Sequence, residues 1–223
     1  MGLGSAWPKR LVALCLGLVL AGCVHVVGRS LPYESWYLGF GVPSYMEVWI
    51  ETADVVDIQG HVFRRAMSGV AAIQTPPDLK RRPAGWPVNP GGGAGKDVRG
   101  ADLPRLIYVR WQSLVEPQTY EVYIEIPEAT RQVMLKEERG HCAAQGKWVT
   151  DYRNMLTIGL APGGIAKAWV MGPCLSVVEV TRVQGSVVKI GPYDGQTEEE
   201  YYRPPNEASK AYIEKFGIPY GSW

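Results

Sequence analysis

Apolar and polar residues alternate along two segments of this chain, residues 45–51 and 119–126. In the second segment, one side carries Tyr120, Val122, Ile124 and Ile126, and the other side carries Glu121, Tyr123 and Glu125. A period of two is typical of a strand with one buried face. The chain also has 26 glycines and 17 prolines among its 223 residues, which favours many turns and short strands over a helix bundle.

The first segment predicts a strand in which Met46, Val48 and Ile50 are buried while Glu47, Trp49 and Glu51 face solvent. Residues 61–73 fit either a strand or a short amphipathic turn. Further strands are predicted at 106–111, 155–158, 166–171, 175–183 and 186–190. Turns are predicted at Gly163-Gly164 and Gln184-Gly185, and Glu116-Pro117-Gln118 separates two strands that form a hairpin or a closely spaced pair.

Two helices are predicted by their end signals. Pro127 and Glu128 open the first helix, Lys136 and Arg139 lie near its end, and Gly140 is its stop. Asn206 caps the second helix, which runs over residues 207–216 with Ile213 and Phe216 pointing inward and ends at Gly217. The predicted fold class is therefore α+β: a mainly antiparallel, sandwich-like sheet with two accessory helices.

One long segment lacks any strand or helix pattern. Residues 75–104 hold six prolines and six glycines, including the run Asn89-Pro90-Gly91-Gly92-Gly93. We predict an exposed loop without regular structure, either functional or disordered.

The first 22 residues have the features of a signal peptide. Lys9 and Arg10 precede the apolar run 11–20, which leads into Leu20-Ala21-Gly22-Cys23. The last four residues resemble a bacterial lipobox, so Cys23 is predicted to be lipidated, with residues 23–30 as a tether and 31–223 as a β-rich periplasmic domain. Val24 in place of Asp favours the outer membrane. The alternatives are an uncleaved anchor over 11–27, or cleavage elsewhere with Cys23 merely apolar.

Two cysteines remain after the signal peptide and the lipidated residue are set aside. Cys142 and Cys174 form an even pair in an oxidising compartment, which predicts a disulfide. The alternative is that Cys142, next to His141, is a nucleophile or a metal ligand.

Charge and motifs argue against several classes of protein. The 23 basic and 22 acidic residues give a net charge of +1, which does not favour a nucleic-acid binder. The run Gly91–Asp97 lacks the first glycine and the Ser or Thr of a phosphate-binding loop. Neither a nucleophile elbow nor a metal-binding spacing is present. We therefore predict a protein that is not an enzyme and has no cofactor or metal.

The supply of aromatic residues is unusual, with 8 Trp and 12 Tyr but only 3 Phe. Trp and Tyr combine apolar area with a hydrogen-bonding group and are enriched in protein interfaces. Trp86, in the predicted loop, and the run Tyr201-Tyr202-Arg203 are the candidate partner-binding residues. The alternative is that these aromatic residues fill the corners of the core.

Several segments carry a resemblance to a known family. They are Leu31-Pro32-Tyr33 with Trp36 and Gly39, then residues 106–120, 160–169 and Gly172-Pro173-Cys174. These segments resemble the Gram-negative lipoproteins grouped as domain of unknown function 2931. The resemblance implies an immunity protein that binds a phospholipase toxin of the type VI secretion system in the periplasm. It implies no active-site residues in this chain. The alternatives are an envelope scaffold or assembly lipoprotein, or a ligand-binding lipoprotein.

Overall fold

Two five-stranded sheets and two helices make up most of the structure, a computed structural model that describes residues 31–79, 85–196 and 203–223. The strands are β1 (Ser35–Gly41), β2 (Val48–Asp57), β3 (Val62–Val70), β4 (Ala94–Arg99), β5 (Pro104–Ser113), β6 (Gln118–Glu125), β7 (Glu137–Cys142), β8 (Lys147–Tyr152), β9 (Met155–Ala161), β10 (Ile165–Met171), β11 (Val178–Gln184) and β12 (Ser186–Val187). The predicted signal peptide 1–22 and tether 23–30 lie outside the described residues.

The first sheet has the strand order β11-β10-β9-β1-β4, and the second has the order β12-β6-β5-β2-β3. The strand pairs of the first sheet are antiparallel except β1 and β9, which run parallel. All pairs of the second sheet are antiparallel, with β5 and β6 forming the predicted hairpin. The mainly antiparallel α+β fold class is thereby confirmed.

The two sheets pack face to face around one apolar core. Their inner faces contribute fully buried residues, among them Trp36 from β1, Ile50 from β2, Trp111 from β5, Ile124 from β6 and Ile158 from β9. Burying side chains of this size stabilises the fold by roughly 1.5–3 kcal/mol each. The alternation at 119–126 is confirmed, because Tyr120, Val122, Ile124 and Ile126 are all buried.

The second helix has the predicted bounds, whereas the first helix is shorter than predicted. Helix α1 is Glu128–Leu135, and α2 is Glu207–Phe216. Asn206 caps α2 by accepting a hydrogen bond from the backbone N–H of Ser209 at 2.9 Å. Ile213 and Phe216 are half-buried and pack against a small second core in which Tyr45 stacks on Tyr212. No helix among the described residues is long and apolar enough to cross a membrane.

The predicted extension of the first helix to Arg139 is wrong. Residues 137–142 form β7, which pairs with β8 in a separate two-stranded sheet. Gly140 does not stop a helix. A Cβ at this position would overlap the backbone oxygen of Cys174, so glycine is needed here for close packing.

The predicted disulfide is present and fastens this hairpin to the body of the domain. Cys142, at the end of β7, is bonded to Cys174, which follows β10, with an S–S distance of 2.01 Å. Cys142 therefore has no free thiol, and its alternative interpretation as a nucleophile or metal ligand does not hold.

The prediction of an unstructured loop over 75–104 is wrong for its second half. Ala94–Arg99 forms β4, an edge strand paired with β1. A Cβ on Gly39 would overlap the carbonyl oxygen of Gly92, and a Cβ on Gly95 would overlap that of Leu38. The glycine run thus allows two backbones to approach closely, a use of glycine that composition alone does not distinguish from a flexible loop.

Candidate functional site

The outer face of the second sheet carries a group of half-buried and exposed aromatic side chains together with one arginine. We call it the aromatic face and define it as Trp49, Tyr108, Tyr123, Tyr193 and Arg203. Trp49 lies on β2, Tyr108 on β5 and Tyr123 on β6, each on the side of its strand opposite the core. The other two residues lie in the segment after β12.

Trp49 joins two parts of this face. Its ring centroid is 6.3 Å from that of Tyr193, and the guanidinium carbon of Arg203 lies 5.5 Å from the same Trp49 ring. A guanidinium over a tryptophan face is a cation–π contact, worth about 0.5–1 kcal/mol at an exposed site. Arg203 is thereby held against the sheet in a defined position.

Below Tyr193 lies a buried carboxylate. Glu51 is only 4% exposed, and it accepts hydrogen bonds from the Gln112 side chain and, at 3.1 Å, from the backbone N–H of Tyr193. The predicted exposure of Glu51 is therefore wrong. A β-bulge between Ile50 and Thr52 interrupts the alternation, and residues 191–196 cover the carboxylate.

An ion pair holds the covering turn in place. Arg110, on the outer side of β5, pairs with Asp194, and the Arg110 side chain is largely buried while Asp194 is about half exposed. The turn is compact, since Tyr193 and Asp194 both have positive φ, at 55° and 59°. These contacts give the aromatic face a fixed arrangement before any partner binds, which lowers the entropy cost of binding.

The two tyrosines at the other end of the face also contact each other. The rings of Tyr108 and Tyr123 are 4.9 Å apart, and the Tyr108 hydroxyl donates a hydrogen bond to Oε2 of Glu121 at 2.8 Å. Burial, and next the hydrogen bond to Glu121, raises the pKa of Tyr108 to about 12. Tyr123 is 62% exposed, so its ring is available to a partner.

A small cavity opens beside Trp49. Its volume is about 170 Å³, and its lining includes Trp49, Glu51, Arg65, Tyr193 and Asp194. Pockets for drug-sized ligands measure about 300–1,000 Å³. This cavity has room for one protein side chain rather than for a ligand of that size.

The structure does not bring the predicted partner-binding residues together. Trp86 lies at the first sheet, where its ring is 5.5 Å from Trp169 and sits directly over Gly159. It is half-buried, and its indole N–H is buried without a hydrogen-bond partner. Arg203 lies on the opposite outer face of the sandwich, and Tyr201 and Tyr202 lie outside the described residues.

Of the aromatic face, sequence reasoning singled out only Arg203 and missed the four aromatic residues. Trp49 carries a signal, because it is a large aromatic residue on the polar side of an alternating strand. Tyr193 has no such signal in the sequence, because Gly191-Pro192-Tyr193-Asp194-Gly195 has the composition of an ordinary turn. In residues 31–79, 85–196 and 203–223, no three His, Cys, Asp or Glu side chains lie close enough to hold a metal ion.

Comparison with known proteins identifies the family. Residues 16–221 match the family described as "Protein of unknown function (DUF2931)". The chain belongs to this family. The DUF2931 match covers both sheets, the disulfide and all five residues of the aromatic face. No curated protein and no solved structure matches the chain.

Proposed function

We propose that this DUF2931 protein is an outer-membrane lipoprotein, anchored through Cys23, that binds a protein partner without catalysing a reaction. The proposed partner is a phospholipase effector of the type VI secretion system. Bound at the mouth of the effector's active site, the protein would block lipid access and so act as its immunity protein.

The aromatic face is the observation that carries this proposal. Residues that dominate binding energy in protein interfaces are enriched in Trp, Tyr and Arg. On this outer sheet face, Trp49 contacts both Tyr193 and Arg203. An interface of about 1,600 Å² is sufficient for stable binding. Occlusion needs only a rigid surface of that size, and the Arg110–Asp194 pair and the contacts of Trp49 hold this face in place.

At the aromatic face, the size of the cavity beside Trp49 suits a protein side chain better than a drug-sized ligand. At about 170 Å³ it can receive one side chain from an opposing surface. The partner's identity and the lipid anchor rest on the sequence, namely on the lipobox-like Leu20-Ala21-Gly22-Cys23 and on the family resemblance.

Co-expression tests the proposal. Cells that direct a phospholipase effector of the type VI secretion system to the periplasm should survive when the full chain is co-expressed, if that effector is the partner, and should lyse without it. The Cys23→Ser variant should protect less well, because it is not held at the membrane where the effector acts. Equal killing with and without the wild-type chain would refute the proposal.

A further inference from the structure

The two oxygens of the buried Glu51 carboxylate have different surroundings. Its Oε1 accepts hydrogen bonds from the Gln112 side chain and, at 3.1 Å, from the backbone N–H of Tyr193. Within residues 31–79, 85–196 and 203–223, no donor or cation reaches Oε2. Because Glu51 is only 4% exposed, bulk water solvates this oxygen poorly. Oε2 is therefore available to a donor from another molecule.

The cavity beside Trp49 gives such a donor access to the carboxylate. Glu51 is part of its lining, and its volume of about 170 Å³ accommodates one side chain. The side chains of Arg65, Ser68 and Gln196 also line the cavity, and none of them donates a hydrogen bond to Glu51. The cavity wall thus leaves one acceptor of a buried acid open to an incoming group.

An irregularity of β2 places Glu51 at this cavity. Glu51 has no register partner on β5 or on β3, because both pairings shift directly after Ile50. An unpaired residue of this kind bends its strand and changes the direction of its side chain, and such bulges are over-represented beside functional sites. The exception to the strand alternation is therefore the feature that brings an acid to the cavity.

The charges around the cavity favour a cation. Its lining includes two acids, Glu51 and Asp194, and one base, Arg65, whereas Arg203 is not part of it. Asp194 is paired with Arg110, and Arg65 is exposed and forms no ion pair with Glu51. A buried carboxylate is stabilised by a cation that also donates a hydrogen bond to it. A neutral donor would complete the hydrogen bonding but leave the charge unpaired.

We propose that this cavity binds a basic side chain of the protein partner, an arginine or a lysine, whose N–H group donates a hydrogen bond to Oε2 of Glu51. The aromatic rings of Trp49 and Tyr193 also line the cavity and offer cation–π contacts to the same group. This inference rests on the proposed function, because it names the side chain that the effector inserts. Its consequence is that Glu51 selects partners with a basic residue at this point of the interface.

Titration with small probes tests the site in the absence of the effector. The purified full chain is titrated with N-acetyl-arginine amide or N-acetyl-lysine amide at constant ionic strength, and NMR follows the backbone amide signal of Tyr193. N-acetyl-citrulline amide is the matched control, because it has nearly the shape of the arginine probe but no charge. We expect a saturable shift with a basic probe and none with citrulline. A Tyr193 signal that responds to neither basic probe, or equally to citrulline, would overturn the inference.

A variant of Glu51 separates its charge from its role in the fold. Glu51→Gln keeps an oxygen that can accept hydrogen bonds from Gln112 and Tyr193, and circular dichroism checks that it folds. It should bind the basic probe about tenfold or more weakly, as expected when a hydrogen bond to a charged group is lost. Glu179→Gln, which removes a carboxylate paired with Lys167 on the first sheet, should leave the affinity unchanged. Equal affinity of the wild type and Glu51→Gln would overturn the inference.

Inhibition of the effector separates failure of this inference from failure of the proposed function. We expect Glu51→Gln to inhibit the phospholipase less well than the wild type does. If both chains inhibit equally at every concentration, the role of Glu51 is wrong and the proposed function stands. A wild-type chain that binds the basic probe but does not inhibit would refute the proposed function and leave the cation site at Glu51 supported.

Discussion

The guanidinium carbon of Arg203 lies 5.5 Å from the centre of the Trp49 ring, so the segment before α2 is held against β2. Arg203 was singled out in the sequence because it follows two tyrosines. Trp49, in contrast, reaches the same face only through the fold. Because the two side chains touch, their contributions to partner binding should be coupled.

The first prediction concerns this pair. Trp49→Ala and Arg203→Ala should each weaken binding of the phospholipase effector by about 2 kcal/mol or more, the loss typical of dominant interface residues. The double variant should lose less than the sum of the two losses. Calorimetric titration of purified proteins measures this. Lys215→Ala is the matched control, because it removes another cation–π contact, with Phe216 on α2, and should leave the affinity unchanged.

The second prediction concerns the disulfide between Cys142 and Cys174. Replacing both residues with Ser should lower the free energy of unfolding by about 3–4 kcal/mol, because the unfolded chain is no longer constrained by the closed loop. Denaturant unfolding with and without reductant measures the effect. Reductant should destabilise the wild type by a similar amount and leave the double variant unaffected. Equal stability of the oxidised and reduced wild type would contradict this account.

Two glycines on β1 provide the third prediction. Gly39→Ala should be destabilising by about 1–3 kcal/mol, because the new Cβ would overlap the backbone of Gly92 and push the glycine run away from β1. Gly41→Ala is the control on the same strand, since the nearest atom the new Cβ would meet, the backbone oxygen of Ala72, is 3.8 Å away. Thermal melting compares them. Equal melting temperatures for the two variants would show that the run is not tightly packed.

Alkaline pH provides the fourth prediction. Burial, and then the nearby Glu116 carboxylate, raises the pKa of Tyr120 to about 12, whereas the unfolded chain loses this proton near pH 10. Between these values the folded state binds more protons, so the free energy of unfolding should fall as the pH rises from about 10 to about 12. Below that window the contribution of Tyr120 should be complete. Tyr120→Phe should make the decline less steep, and an unchanged slope would contradict the assignment.

Local signals in the sequence predicted some boundaries well. The cap at Asn206 and the glycine at 217 are sufficient to define α2, because both act within one turn of the helix. The end of α1 could not be predicted in this way. Lys136, Arg139 and Gly140 have the order of a helix end, yet residues 137–142 pair with β8, and that pairing is not visible in the segment itself.

The candidate site was predictable only in part. Arg203 was singled out through its aromatic neighbours, but its contact with Trp49 joins residues that lie 154 positions apart in the sequence. The burial of Glu51 has the same cause, because a bulge and a covering turn from 142 residues later remove it from solvent. Contacts between distant parts of the chain decide both features.

The central claim is that this protein neutralises a phospholipase by binding to it through the aromatic face. The most direct measurement is the activity of the purified effector on phospholipid vesicles as the purified full chain is added. The account predicts that activity falls to background at stoichiometric addition, and that Trp49→Ala fails to inhibit at the same concentration. Full phospholipase activity in the presence of excess wild-type protein would contradict it.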